Sequence, residues 1–136
     1  MRIVLFLSCF ILLAGCNSSD NIHPDYTFQK SLNYSELVER HYSQLASTQG
    51  YKYESKALVT EHNKHWPPLA KKCRAMLEDE GKDAFQFVFV LDSKGNVIDS
   101  RSPTSGKAAA CFLNGIKEIK YPSPPFEYWY ELVNVK

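Results

Sequence analysis

The spacing of apolar positions changes several times along this chain, and each change marks a predicted element. Ile3 to Leu13 is an unbroken apolar run, whereas Asn17 to about Ser31 is polar and aperiodic and reads as a tether. Tyr34, Leu37, Val38, Tyr42 and Leu45 then recur at three- and four-residue spacing, which predicts a helix. Asn33 with Glu36 has the form of a capping box at its start, and Gly50 suits its stop. The stretch Tyr51 to Val59 stays open between two readings. Tyr51, Tyr53, Ser55, Ala57 and Val59 alternate as in a strand, while Lys56 to Lys64 could equally extend a helix. A second helix is predicted from Pro67-Pro68, because proline suits a first turn; it sets Leu69, Cys73, Met76 and Leu77 on one stripe and ends at Gly81.

Phe85 to Leu91 is rich in aromatic and β-branched residues and leads through Asp92-Ser93-Lys94-Gly95-Asn96 to Val97–Arg101. That is a β-hairpin pattern with Gly95 at positive φ. Ser102-Pro103-Thr104-Ser105-Gly106 breaks the pattern, and Lys107 to Ile119 then presents Ala108, Cys111, Phe112, Gly115, Ile116 and Ile119 on one helical face. Tyr121-Pro122-Ser123-Pro124-Pro125 must be extended, and it feeds a strand from Phe126 to Val135. The order predicts the α+β class: a small antiparallel sheet of about three strands with helices packed on it. Phe85, Phe87, Phe89 and Leu91 share one sheet face and Val88 and Val90 the other. In the last strand Phe126, Tyr128, Tyr130 and Leu132 oppose Trp129, Val133 and Val135. One face packs on the helices carrying Cys73 and Cys111. The other is covered by the helix at Tyr34 to Leu45 or is open to a partner, and coverage is the favoured reading.

The first apolar run is too short to stay as a membrane span, which needs about 20 residues. It follows Arg2 and ends in Leu13-Ala14-Gly15-Cys16, the order of an export signal closing on small residues and a cysteine. This arrangement resembles bacterial lipoprotein signals. The resemblance implies removal of residues 1–15 and acylation of Cys16, where two or more chains would give stable membrane attachment at about 0.8 kcal/mol per buried methylene. Asn17 follows the cysteine. By the same resemblance, the absence of Asp there favours the periplasmic face of the outer membrane. The organisation is then a signal over 1–15, a lipidated cysteine with a flexible tether over 16–33, and a single α+β domain over 34–136.

Removing that signal leaves 121 residues, enough for one domain with a real core. The signal carries one of the 16 cations and none of the 15 acids, so the remainder has 15 of each. Such balance argues against a nucleic-acid partner and against a polybasic grip on lipid. Cys9 leaves with the signal and Cys16 takes lipid, so Cys73 and Cys111 remain. In an oxidising compartment they are expected to pair, closing a loop of about 39 residues worth ~4 kcal/mol in chain entropy. The alternative is two buried thiols acting as small hydrophobes. No C-x-x-C motif supports redox catalysis.

The stretch from Phe87 to Val135 carries the Asp92–Asn96 turn, Cys111 in an alanine-rich helix start, Tyr121-Pro122-Ser123-Pro124-Pro125 and a tyrosine-rich last strand. Together these resemble the C-terminal domains of TolA and TonB. Trp66-Pro67-Pro68-Leu69-Ala70-Lys71-Lys72 is similar to the lead-in of the TonB-like group. The resemblance implies a periplasmic module of two helices on a three-stranded antiparallel sheet, which binds other proteins and catalyses nothing. Such domains engage partners by lending a sheet edge to a partner strand. There are two departures. The family's paired cysteine sits at the start of the first hairpin strand, near Phe85 here, whereas Cys73 lies a helix earlier, so a bridge here would join helix to helix. A lipid anchor with a short tether also replaces the inner-membrane helix and rod, so energy transduction does not carry over.

Tyr128, Trp129 and Tyr130 are the candidate partner contacts, since such side chains carry much of the energy at interfaces. Catalytic chemistry finds little support. No G-x-S-x-G turn is present, and Cys111 on a buried helical face is a weak nucleophile. His62 and His65 could meet on one helical face, but without a third ligand they read as solvated histidines rather than a metal site, and no cofactor is expected. Glu78-Asp79-Glu80 reads as a solvated helix end. The leading expectation is a lipid-anchored protein-interaction module in envelope maintenance or transport. An inhibitor or immunity-type lipoprotein acting on a toxin or hydrolase is the alternative, and a cryptic hydrolase a distant third.

Overall fold

The computed structural model describes residues 24–136, so the apolar run, the lipobox and Cys16 lie outside the described residues. The elements are helices α1 (Pro24–Ser31), α2 (Tyr34–Leu45), α3 (Thr48–Lys52) and α4 (Val59–Asp79), with a π-helical segment Tyr53–Leu58 between the last two. Strands β1 (Phe85–Asp92) and β2 (Val97–Arg101), helix α5 (Lys107–Ile116) and strand β3 (Tyr128–Val135) follow. The sheet is antiparallel with order β2-β1-β3. This is the α+β architecture that the sequence pattern predicts.

Local chemistry accounts for most boundaries. Asn33 and Glu36 form the predicted capping box, with Glu36 N–H donating to Asn33 Oδ1 over 3.0 Å and Asn33 N–H to Glu36 Oε2 over 2.6 Å. Gly95 turns the hairpin at φ 79°, and the Asp92 carboxylate accepts from the Lys94 and Asn96 amides, both over 2.9 Å. A Cβ at Gly95 would run into the Tyr121 carbonyl, so the turn requires glycine twice over. Gly81, at φ 64°, ends α4 as predicted.

Four elements differ from the sequence reading. Pro24–Ser31, expected within a polar tether, forms α1. Arg101 of β2 holds that helix by donating to the Leu32 carbonyl and, over 2.6 Å, to the Lys30 carbonyl. Gly50 does not stop a helix but lies inside α3, buried where a Cβ would strike the Gln44 carbonyl. Tyr51–Val59 takes the helical reading and not the strand, but Tyr53–Leu58 within it is a π turn, with Tyr53 and Leu58 both buried. Five residues of α-helix would turn those two side chains about 140° apart, and the wider π turn returns them to one face. Finally, α4 starts before Pro67-Pro68 and runs through them; Asn63 and Lys64, whose carbonyls lose their N–H partners, are exposed to water.

The sheet has two unequal cores. Phe85, Phe87, Phe89 and Leu91 of β1 pair with Val135, Val133, Glu131 and Trp129 of β3, and this face packs on α4, α5 and the π segment. A disulfide joins Cys73 of α4 to Cys111 of α5, helix to helix, with Cα atoms 5.7 Å apart. Gly115 lets the two helices approach, since a Cβ there would overlap Leu69. The opposite face is covered, as the favoured reading expects. Val88, Val90 and Tyr130 pack with Leu32 and Leu37 beneath α2. Glu80 serves as a remote cap for α5: its carboxylate accepts from the Lys107 amide and, over 3.3 Å, from the Ala108 amide, where Gly106 offers no side chain.

Candidate functional site

Strand β3 lies at the edge of the sheet, so alternate main-chain groups of its outer side have no strand to pair with. In the first half of β3 those groups meet side chains from α2. Gln44 Nε2 donates to the Tyr128 carbonyl over 2.7 Å, and the Tyr130 amide donates to Gln44 Oε1 over 3.1 Å. His41 Nδ1 lies 2.9 Å from the Tyr130 carbonyl. A carbonyl only accepts, so that nitrogen carries the proton. His41 is buried, and Leu37, His41 and Gln44 stand at i, i+4 and i+7 on the inner face of α2.

The structure corrects the contact candidates. Trp129 is fully buried, edge-on to the Tyr53 ring at 5.0 Å, and its indole N–H donates to Glu131 Oε2 over 2.8 Å. Tyr130 is buried in the smaller core, with its hydroxyl donating to Gln29 Oε1. Both rings fill cores because β3 alternates between two covered faces. Tyr128 alone of the three is partly exposed. It lines a groove of about 330 Å³ with Phe28, Arg40, Gln44 and Phe126. The Arg40 guanidinium stands 5.3 Å from the Phe28 ring centre and 5.6 Å from that of Tyr130. Phe28 is 52% exposed, an unusual position for a phenylalanine, and places an apolar wall beside the sealed edge.

Behind β3 lies a buried polar cluster that sequence reasoning missed. Burial pushes the Glu131 carboxyl up to about 8, against the Trp129 hydrogen bond that favours ionisation, and nearby Glu54 adds to the rise. Burial also raises Tyr53 and Tyr121, each with a further contribution from Glu131. Tyr53 donates to the Pro122 carbonyl over 2.6 Å. His62 is not the solvated histidine expected. It stacks on Trp66 at 4.9 Å with Nδ1 3.0 Å from Tyr121 Oη, and burial followed by the charge of His65 lowers its pKa. His65 instead pairs with Glu61 over 3.0 Å. Among the described residues, no three His, Cys, Asp or Glu side chains gather as metal ligands.

Comparison with protein-family models, with curated proteins and with solved structures finds no match. The site's chemistry is main-chain hydrogen bonding at a sheet edge beside an aromatic groove.

Proposed function

We propose that this chain is a lipid-anchored envelope protein whose α+β domain binds other proteins at the periplasmic face of the outer membrane. The observation that carries the reading is the Cys73–Cys111 disulfide, formed in a domain that follows a Leu13-Ala14-Gly15-Cys16 lipobox. Disulfides persist in oxidising compartments, which suits an exported chain. Balanced charge disfavours a nucleic-acid partner, and a sheet with an edge strand beside an exposed phenylalanine suits an extended protein segment. The likeness to TolA and TonB C-terminal domains points the same way.

Two measurements test this. Metabolic palmitate labelling is expected to mark the wild-type chain and not Cys16→Ser; label on both, or on neither, removes the anchor. Cross-linking in intact cells, followed by identification of the attached chain, is expected to yield an envelope protein. Recovery of a toxin or lytic enzyme would replace the reading with an inhibitor, and turnover of an envelope substrate by the isolated protein would replace both.

A further inference from the structure

The three bonds that α2 makes to β3 have the pattern of a strand. In a parallel ladder, one residue donates its N–H to a carbonyl and accepts from the N–H two residues further on. The Gln44 carboxamide does this opposite Trp129, donating to Tyr128 O and accepting from Tyr130 N, and His41 extends the contact to Tyr130 O. A single side-chain amide thus supplies the N–H and the C=O that one residue of a fourth strand would supply.

Apart from the inward-pointing Glu131, nothing in β3 itself defends this edge. Its sequence, Tyr-Trp-Tyr-Glu-Leu-Val-Asn-Val, has no proline, glycine or lysine, and its only charged residue, Glu131, is buried. Strands of such composition pair readily, so protection of Tyr128–Tyr130 falls to α2. The helix is built as a separable unit. Its first turn is closed by the Asn33 capping box, and the next helix begins on its own cap, Ser47, whose Oγ accepts from the Gly50 amide over 3.0 Å. Only Leu32–Asn33 and Ala46–Ser47 join it to its neighbours.

We propose that α2 is a displaceable seal: the β3 edge at Tyr128–Tyr130 accepts an extended segment of a partner protein only after Gln44 and His41 have left it. The inference rests on the reading of the domain as a protein-binding module and adds how that binding is gated. An incoming strand replaces the three lost hydrogen bonds one for one, so the exchange is nearly neutral in bonds made. The cost is exposure of Leu37 and of Val88 and Val90 beneath it, which keeps the open form a minority until a partner restores the contacts. The groove lined by Phe28, Phe126 and Tyr128 runs beside the same edge and receives a side chain of the arriving segment.

The test compares the full chain in detergent with Gln44→Ala, using amide exchange by NMR. Exchange at Tyr130 is expected to quicken at least tenfold, with the amides of the central strand β1 unchanged. The binding probe is a lysine-flanked octapeptide of alternating threonine and valine bearing a nitroxide. It should bind Q44A at least tenfold more tightly than wild type and broaden the Tyr130 resonance. A Tyr130 amide as slow in Q44A as in wild type overturns the seal, as does equal binding of the peptide to both proteins at this edge. Gln44→Glu, which keeps an acceptor for Tyr130 but sets a carboxylate against the Tyr128 carbonyl, gives a second opened form should Q44A be poorly folded. An unsealed edge that takes the peptide, in a protein that cross-links to no envelope partner, would uphold the seal and remove the binding-module reading alone.

Discussion

The two faces of the sheet are held in different ways. On one, four aromatic or aliphatic side chains of β1 and the Trp129 ring meet two helices that are covalently joined through Cys73 and Cys111. On the other, a single helix covers a smaller cluster centred on Leu37, Val88 and Val90, and is fastened to the sheet edge by the side chains of His41 and Gln44. The first face is stapled and fixes where β3 lies. The second is fastened by side-chain hydrogen bonds and no covalent link, which is why the proposed opening falls on it.

The sharpest way to break this contrast is to remove the staple. Cys73→Ala with Cys111→Ala, or reduction of the bridge, should cost about 4 kcal/mol, the chain-entropy value for cysteines 38 positions apart. Thermal unfolding followed by circular dichroism checks it. Both tryptophans belong to this core, Trp129 within it and Trp66 packed against it through Phe112 at 5.3 Å. A change in their emission should therefore accompany the loss.

Leu37→Ala attacks the other face. It should cost about 2–3 kcal/mol, the lower part of the range for a buried leucine, because an end-hinged helix can settle into the space. Tryptophan emission at native conditions should stay as in wild type, since neither indole touches this cluster. A change in emission as large as that on reduction would show that the two faces are one cooperative core, and the contrast would fail.

How far the sequence reveals this arrangement depends on whether the signal is local. The capping box at Asn33, the hairpin turn at Gly95 and the alternation of Phe85 to Leu91 are written in neighbouring residues, and each predicts its element. The sheet class and the covering of both faces follow from that alternation. Three features were not legible. Continuation of the helix through Pro67-Pro68 runs against local preference and is held by tertiary packing of Leu69, Cys73 and Trp66. The π segment depends on Tyr53 and Leu58 both finding the same core, which no local pattern states. The seal was hidden because Gln44 and His41 look like ordinary polar positions of an amphipathic helix, and only the placement of β3 gives them partners 84 to 89 positions away. For the same reason Trp129 and Tyr130 looked like contacts.

The subtlest difference between the faces is electrostatic. Glu131 points into the stapled face, 4.0 Å from His41, which fastens the other, so one carboxyl touches both systems. In the unfolded chain it ionises near its ordinary 4.5; in the fold it keeps its proton to about 8. Between those values the folded state binds more protons. Stability contributed by this group is therefore fully present below about 4.5, falls as pH rises and levels off above about 8. His62 acts in the opposite sense. Its lowered pKa makes the folded state bind fewer protons, and stability falls as pH drops below its ordinary 6.5. Glu131→Gln keeps a neutral acceptor for the Trp129 indole and should change stability by less than ~1 kcal/mol at pH ~6. At pH ~8 to 9 it should be the more stable protein, and the downward slope of wild type between neutral and pH ~8 should vanish, as read by urea unfolding across that range. If the slope persists in Glu131→Gln, this carboxyl is not its source, and the stapled face does not hold the proton that sets the two faces apart.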